Sequence, residues 1–161
     1  MMDKEPMSIY GYEKISGELD DLRSVERPET LIAIEEARQL GDLKENAEYH
    51  AAREKLKIID AKIAEISDLI SKAIIIDPAT LPHDRVSFGS TVVLEDLDTA
   101  EELSYTIVGS IESDPSIGKI SFNSPLAKQL LGKKEGADFK AILPIGSKEY
   151  EILKVYYKEE E

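Results

Sequence analysis

The chain has 161 residues, 33% of them charged and 42% hydrophobic, and this length predicts one ordinary domain or two small ones. The absence of cysteine excludes disulfides and thiolate metal sites and is typical of the cytoplasm, while the sequence shows neither a signal-peptide core nor a run long enough to span a membrane. The net charge of −13 excludes broad binding to a nucleic-acid backbone and favours a basic protein partner or a local nucleic-acid contact.

The first element is a predicted helix that begins after Ser8, a suitable N-cap. Pro28 lies within the helical pattern and is expected to kink the helix, because proline has no N–H for the helical hydrogen-bond ladder. Gly41 is the expected C′ residue at the end of this helix. The apolar stripe comprises Ile15, Leu19, Leu22, Ile32 or Ala33, Ala37 and Leu40.

A second predicted helix follows at once and has a regular heptad seam. The seam comprises Ala52, Leu56, Ile59, Ile63, Ile66, Ile70 and Ala73. Two apolar seams joined by so few residues can bury each other only if the chain folds back on itself. Residues 1–77 are therefore predicted to form an antiparallel coiled-coil hairpin whose arms are each about 45 Å long, at 1.5 Å per residue.

The second half changes from a helical to a strand period. Prolines in "IIIDPATLPHDR" indicate a linker at 78–85, and residues 86–161 contain five short runs rich in Val, Ile, Thr and Tyr. One short helix interrupts them, with Ser124 as N-cap, Pro125 at N1 and Gly132 at C′. The fold class is therefore α+β: a helical hairpin followed by a small domain with an antiparallel sheet and one helix against a face. The five predicted strands are "STVVLEDL", "LSYTIVG", "GKISFN", "DFKAILPI" and "YEILKVYY".

The loop of the hairpin, "LGDLKENAEYHAAR" from Leu40 to Arg53, contains two carboxylates three residues apart, Asp42 and Glu45. This spacing fits a capping box, in which Asp42 accepts from the N3 amide and Glu45 reaches back to the N-cap. On spacing alone, helix capping is the favoured interpretation. It requires no ligand.

The same spacing also allows both carboxylates to bind one divalent cation, because residues i and i+3 at a helix start point to one side. Mg²⁺ requires six oxygen ligands, so two carboxylates are at most half a site. A partner protein or substrate phosphates would have to supply the rest. We therefore expect no tightly bound Mg²⁺ in the isolated chain.

Four arginines lie on the predicted hairpin. Arg38 and Arg53 are near the loop on opposite arms, and folding back is expected to bring them to similar heights, where their planar guanidinium groups suit phosphate binding. Solvation or pairing with neighbouring Glu is an equally good interpretation for these two. It is the favoured one for Arg23 and Arg27.

The two histidines, His50 and His83, are far apart in the sequence, and no cysteine accompanies them. A catalytic or metal-binding role is therefore not expected. No phosphate-binding loop, nucleophile elbow or dinucleotide fingerprint is present.

The loop sequence "LGDLKENAEYHAAR", preceded by "SVERPE" and "IEEAR" and followed by "AIIIDP", closely resembles the GreA/GreB family of bacterial transcript cleavage factors. "FGSTVVLEDLDTAEELSYTIVG" and "ISFNSPLAKQLLGKKEGADF" resemble the carboxy-terminal domain of that family. The resemblance extends from about Ser8 to Tyr157. It implies an FKBP-like carboxy-terminal domain and a cytoplasmic transcription elongation factor that is monomeric when free.

The resemblance also implies a partner and a role for each site residue. Such factors bind bacterial RNA polymerase at the rim of its secondary channel, on the largest subunit, and insert the coiled coil into the channel. Asp42 and Glu45 match the acids that hold the second Mg²⁺, so that the polymerase hydrolyses backtracked RNA near its 3′ end. By the same match, Arg38 and Arg53 lie near the RNA, and Ser124 and Pro125 belong to the docking segment. The chain would then not be an enzyme by itself.

Three other functions are considered. A prolyl isomerase of the FKBP type needs an aromatic-lined pocket, but beyond the linker the chain has only Phe122 and Phe139 and no Trp. An inhibitory homologue of the same family would share the architecture, although the intact Asp-x-x-Glu spacing favours cleavage. A plain coiled-coil interaction module would not need the loop carboxylates.

Overall fold

The structure, a computed structural model, describes residues 4–159. Within this range the chain forms two compact units, one made of Tyr12–Ala73 and the other of Lys4–Gly11 with residues 74–159. The predicted boundaries of 1–77, 78–85 and 86–161 remain a prediction. None of the helices in residues 4–159 has the length and apolarity needed to cross a bilayer.

The helical unit is an antiparallel hairpin, as predicted. Ser8 Oγ accepts a hydrogen bond of 3.0 Å from the Gly11 amide, which confirms Ser8 as the N-cap. All seven predicted seam residues of the second arm are buried or half-buried, and Ile59 and Ile66 are the least exposed. The elements are α1 (Ile9–Asp21), a π-helical turn (Leu22–Glu26), α2 (Arg27–Arg38) and α3 (Ala47–Lys72).

The π-helical turn changes the buried face of the first arm. It lies just before Pro28, the residue for which the sequence predicts a kink because it has no N–H. A π-helical turn holds one more residue than an α-helical turn, so the stripe beyond it is displaced by one position. Thr30 and Ala37 are buried, whereas Ile32 and Leu40 are 60% and 67% exposed.

The predicted stripe is therefore only partly right. Ile15, Leu19, Leu22 and Ala37 are buried or half-buried, as expected. The assignment of Ile32 or Ala33 and of Leu40 is wrong, because it continued a heptad that the π-helical turn interrupts.

Two arginines of the first arm make polar contacts with the second arm. Arg27 Nε donates to Asp60 Oδ1 at 2.8 Å, and Arg23 Nη2 donates to Ser67 Oγ at 3.1 Å. Both arginine side chains therefore remain exposed to solvent, as expected, but they contact Asp and Ser of the opposite arm rather than a neighbouring Glu. Because these side chains are exposed, the contacts add little to stability.

The second unit contains a five-stranded sheet in the order β5-β4-β3-β7-β6 and a separate two-stranded sheet, β1-β2, which the sequence did not predict. All neighbours in the larger sheet are antiparallel except β4 and β5, which are parallel. Two short 3₁₀ turns within residues 109–118 allow this parallel connection. The strands are β1 (Glu5–Ser8), β2 (Ala73–Ile76), β3 (Thr91–Asp96), β4 (Glu102–Val108), β5 (Lys119–Ser121), β6 (Asp138–Leu143) and β7 (Gly146–Tyr156).

One helix, α4 (Pro125–Leu130), packs against this sheet, as predicted. Its Ala127 and Leu130 are fully buried together with Leu94 of β3 and Ile152 of β7. The α+β class, the helical hairpin and the sheet domain are thus confirmed.

The buried carboxylate of Asp96, the last residue of β3, makes the stability of the sheet unit dependent on pH. Asp96 is 2% exposed, and its Oδ1 accepts from the amides of Asp98 and Thr99 at 2.9 and 3.3 Å. Its Oδ2 accepts from Lys148 Nζ at 3.1 Å. The hydrogen bond from the Asp98 amide, followed by the one from Lys148, lowers the pKa of Asp96 below its ordinary value.

A group whose pKa is lowered by folding stabilises the fold above its unfolded pKa, about 3.9 for Asp, and loses that contribution as the pH falls through the folded value. The difference in free energy of unfolding between wild type and Asp96→Asn should therefore shrink from pH 7 to pH 3. Urea unfolding followed by circular dichroism measures it, with the exposed Asp98→Asn as a matched control. A difference that stays constant with pH would contradict this account.

Candidate functional site

The loop between α2 and α3 spans residues 39–46 and presents the predicted carboxylates. Helix α2 ends at Arg38 with Gln39 as C-cap, so the C′ residue is Leu40, and the prediction of Gly41 at C′ is wrong by one position. Gly41 has a φ of +125°, a conformation that side chains of L-amino acids rarely adopt. The glycine therefore belongs to the loop itself and lets the chain turn next to Asp42.

Asn46, which the sequence analysis did not identify, fixes this loop to both arms. It is the N-cap of α3, with its Oδ1 accepting from the Tyr49 amide at 3.0 Å. Its Nδ2 donates to the Ala37 carbonyl at 2.6 Å, on the last turn of α2. One side chain thus caps the second helix and ties it to the end of the first.

The predicted capping box of Asp42 and Glu45 is wrong, because α3 begins after Asn46 rather than after Asp42. Asn is as good an N-cap as Asp, so the rank of N-cap residues does not distinguish position 46 from position 42. Asn46 also makes a second hydrogen bond, from its Nδ2 to the Ala37 carbonyl of the opposite arm. Capping therefore does not account for either carboxylate.

Both carboxylates are exposed on the loop. Asp42 Oδ1 accepts from the Lys44 amide at 3.0 Å, which is an Asx turn that orients the carboxylate and leaves Oδ2 uncommitted. Within residues 4–159 the Glu45 carboxylate makes no hydrogen bond or ion pair. The loop thus has carboxylate oxygens that the fold itself does not use.

The chemistry of these donors fits a hard cation such as Mg²⁺, which prefers carboxylate oxygen and an octahedral set of ligands. No cluster of three or more Asp, Glu, His or Cys with metal-binding geometry occurs among the described residues. Asp42 and Glu45 can therefore supply part of a ligand set, and the remaining ligands would come from outside the chain.

Arg38 and Arg53 are both exposed. Arg38 Nη1 is 3.6 Å from Glu35 Oε2 on the same helix. The guanidinium carbon of Arg53 is 5.7 Å from the centre of the Tyr49 ring, and its Nη1 is 3.5 Å from the Tyr49 hydroxyl. The Tyr49 ring therefore supports Arg53, while the guanidinium group remains accessible to solvent.

The sequence predicts that Arg38 and Arg53 lie at similar heights on the two arms. The pairing of the arms shows that this prediction is wrong. Asn46 contacts Ala37, so Arg38 lies level with the start of α3. Arg53 lies further along α3 by about 10 Å, at 1.5 Å per residue. Arg38 is beside the carboxylate loop, whereas Arg53 is about two turns behind it.

Each histidine makes hydrogen bonds to the backbone or a hydroxyl. His50 Nε2 is 3.1 Å from the Lys44 carbonyl oxygen, within the carboxylate loop. In the sheet unit, His83 lies 2.6 Å from Ser90 Oγ and 2.7 Å from the Pro78 carbonyl oxygen, and it stacks on Tyr157. His83 therefore joins the segment before β3 to the rest of that unit.

Ser124 and Pro125 begin α4 in the sheet unit. Ser124 Oγ accepts from the Ala127 amide at 3.3 Å, which confirms it as the N-cap, and Pro125 is exposed. The side-chain nitrogen of Gln129, Nε2, donates to the backbone carbonyls of Pro125 and Ile142, so that α4 is held against the edge strand β6. The role of this segment in docking remains a prediction.

Two family models match the chain and together account for most of it. The model described as "Transcription elongation factor, N-terminal" matches residues 5–75, and the model described as "Transcription elongation factor, GreA/GreB, C-term" matches residues 81–157. The gap between the two matches overlaps the predicted linker.

Individual relatives are similar over nearly the whole chain. The chain is 67% identical over 158 residues to transcription elongation factor GreA of Aliarcobacter butzleri (strain RM4018), which covers 98% of each protein. It is 56% identical to the protein of the same name from a Nitratiruptor species, over 98% of this chain and 96% of that protein. Among solved structures, GreA factor homolog 1 (Gfh1) of Thermus thermophilus is similar with a TM-score of 0.44 and 26% identity, covering 95% of this chain and 99% of that chain.

Proposed function

The chain belongs to the GreA/GreB family of transcription elongation factors, and from this premise we propose that it stimulates RNA polymerase to cleave backtracked nascent RNA. The observation that best supports the proposal is the state of Asp42 and Glu45. Both carboxylates are exposed on the loop that joins two antiparallel helices, and neither caps a helix. Such a loop can present carboxylate oxygens to the active site of another protein.

The helical hairpin enters the secondary channel of the polymerase in this proposal, and the sheet unit docks at the channel rim through Ser124 and Pro125. A narrow element suits a channel, and two antiparallel helices that bury their apolar seams against each other form such an element without further protein cover. The net charge of −13 fits a body that docks on basic protein rather than on the nucleic-acid backbone. The chain would act in the cytoplasm as a partner of the polymerase and would not be an enzyme alone.

Asp42 and Glu45 would hold one Mg²⁺ jointly with ligands of the polymerase. In a two-metal site such an ion helps to activate the attacking water and to stabilise the leaving oxygen. The chain itself contributes the orientation of its carboxylates: the Lys44 amide fixes Asp42, and Asn46 fixes the end of the loop to α2. Arg38 and Arg53 would contact RNA phosphates through guanidinium groups that the fold leaves exposed.

A cleavage assay tests the proposal directly. A backtracked elongation complex with 5′-labelled RNA is incubated with Mg²⁺, with and without the protein. We expect shortened transcripts that the polymerase can extend again when nucleotides are added. Binding to the polymerase without cleavage would contradict the proposal and favour an inhibitory homologue.

Arg53→Ala should weaken stimulated cleavage by about threefold to tenfold, the effect of one lost charge-assisted contact to phosphate. The loss should be smaller than that caused by changing either loop carboxylate, because Arg53 lies about 10 Å behind the loop. Lys57→Ala, an exposed change further along α3, is the matched control and should behave as wild type. A loss for Arg53→Ala as large as for Asp42→Asn would contradict this ranking.

A further inference from the structure

Lys44, between the two carboxylates, has both of its backbone groups held by side chains. Its amide donates to Asp42 Oδ1 at 3.0 Å, and its carbonyl oxygen is 3.1 Å from His50 Nε2. His50 lies in the first turn of α3, where its own amide donates to the Asn46 carbonyl at 3.1 Å. The imidazole therefore links the exposed part of the loop to the start of a regular helix.

We propose that His50 is a positioning residue that orients Glu45 for the cleavage function proposed above, on which this inference rests. The Lys44 carbonyl belongs to the peptide group that joins Lys44 to Glu45. A hydrogen bond to that carbonyl fixes the peptide plane, and the plane sets the direction in which the Glu45 side chain leaves the backbone. Asp42 is held directly through its own carboxylate, whereas the Glu45 carboxylate has no hydrogen bond or ion pair within the described part of the chain, so its orientation depends on this peptide group.

The hydrogen-bond chemistry defines which ring nitrogen must hold a proton. A carbonyl oxygen can only accept, so Nε2 must be the donor. The neutral Nε2–H tautomer and the imidazolium both satisfy this requirement. The Tyr49 ring, whose centre is 5.6 Å from that of His50 in an edge-to-face arrangement, limits the rotation of the imidazole.

A role in the stability of the fold is a poor explanation for this contact. His50 is exposed and is not one of the buried residues of the hairpin. Replacing it should therefore leave the helix content and the free energy of unfolding almost unchanged. The effect of replacing His50 should appear instead in stimulated RNA cleavage, in which Glu45 is proposed to act.

Two variants of similar size separate the donor from the rest of the side chain. His50→Leu removes the hydrogen bond and has a better helix propensity than His, so helix loss cannot explain a defect. His50→Gln retains an N–H donor near the same place. In the cleavage assay, His50→Leu should raise the Mg²⁺ concentration needed for half-maximal cleavage and lower the rate by about threefold to tenfold. His50→Gln should stay within about twofold of wild type, and both should bind polymerase equally well.

Amide hydrogen exchange in the free protein, measured by NMR, tests the contact independently of any polymerase. The Lys44 amide, which donates to Asp42 Oδ1, should exchange about threefold to tenfold faster in His50→Leu than in wild type or His50→Gln. Equal exchange in all three proteins would overturn the proposal, and so would normal cleavage by His50→Leu in an assay where wild type cleaves. If wild type itself fails to cleave, the proposed function is wrong, and the exchange rates alone decide whether His50 holds the loop.

Discussion

Replacing Asp42 by Asn, or Glu45 by Gln, should lower stimulated RNA cleavage by about 100-fold or more. Each change removes the negative charge and one anionic oxygen ligand while keeping the size of the side chain. A shared metal stabilises transition-state charge by several kcal/mol, and each 1.4 kcal/mol corresponds to a factor of ten in rate. Neither carboxylate stabilises a helix terminus in the structure, so the fold should tolerate both changes.

The measurement is the rate of transcript shortening in a backtracked complex at saturating factor. Glu48→Gln is a matched control, because Glu48 is an exposed acid in the first turn of α3 and lies only three residues after Glu45. It should cleave at the wild-type rate. Competition with labelled wild type should show that all three variants bind polymerase almost equally.

Normal cleavage by both Asp42→Asn and Glu45→Gln would contradict the proposed role of the loop. The chain would then resemble a coiled-coil interaction module in which the loop carboxylates are dispensable. Loss of polymerase binding together with cleavage would also count against the proposal, because the carboxylates are proposed to act after docking.

The helical hairpin could be predicted because its signal is long and repetitive. Ile59 and Ile66 lie one heptad apart in a helix of 26 residues, and both are buried as the spacing requires. The buried face of the first arm was harder to predict, because the π-helical turn at Leu22–Glu26 adds one residue without any break in the polar and apolar pattern. Pro28 signalled a local disturbance, but a proline alone does not specify whether the helix kinks or takes up an additional residue.

The carboxylate loop shows a different limit of sequence reasoning. Asp42 and Asn46 are both good N-caps, and local propensity does not choose between them. Asn46 also donates to the Ala37 carbonyl on the opposite arm. That contact exists only after the hairpin has closed, so tertiary structure decides where α3 begins. As a consequence, neither carboxylate takes part in capping α3.

The sheet could be predicted strand by strand but not in all of its pairings. Each run of β-branched and aromatic residues became a strand, because such runs are bounded by turn residues. The parallel alignment of β4 and β5 depends on the path of residues 109–118, and the pairing of β1 with β2 joins segments far apart in the sequence. Neither arrangement leaves a periodic signal.

Ile152→Ala should destabilise the sheet unit by about 3 to 4 kcal/mol, the usual cost of removing a large buried aliphatic side chain and leaving a cavity. Ile152 is fully buried on β7, next to Leu94 of β3 in the sheet. The adjacent Leu153 lies at the β-bulge where the register of β7 with β3 shifts, and it is 36% exposed, so Leu153→Ala should cost about 1 kcal/mol or less. Native-state hydrogen exchange of the amides of β3 and β7 measures both changes on the same strands. Equal losses for the two variants would show that Ile152 is not part of a close-packed core, and would contradict the sheet register on which the position of α4 and its Ser124–Pro125 segment depends.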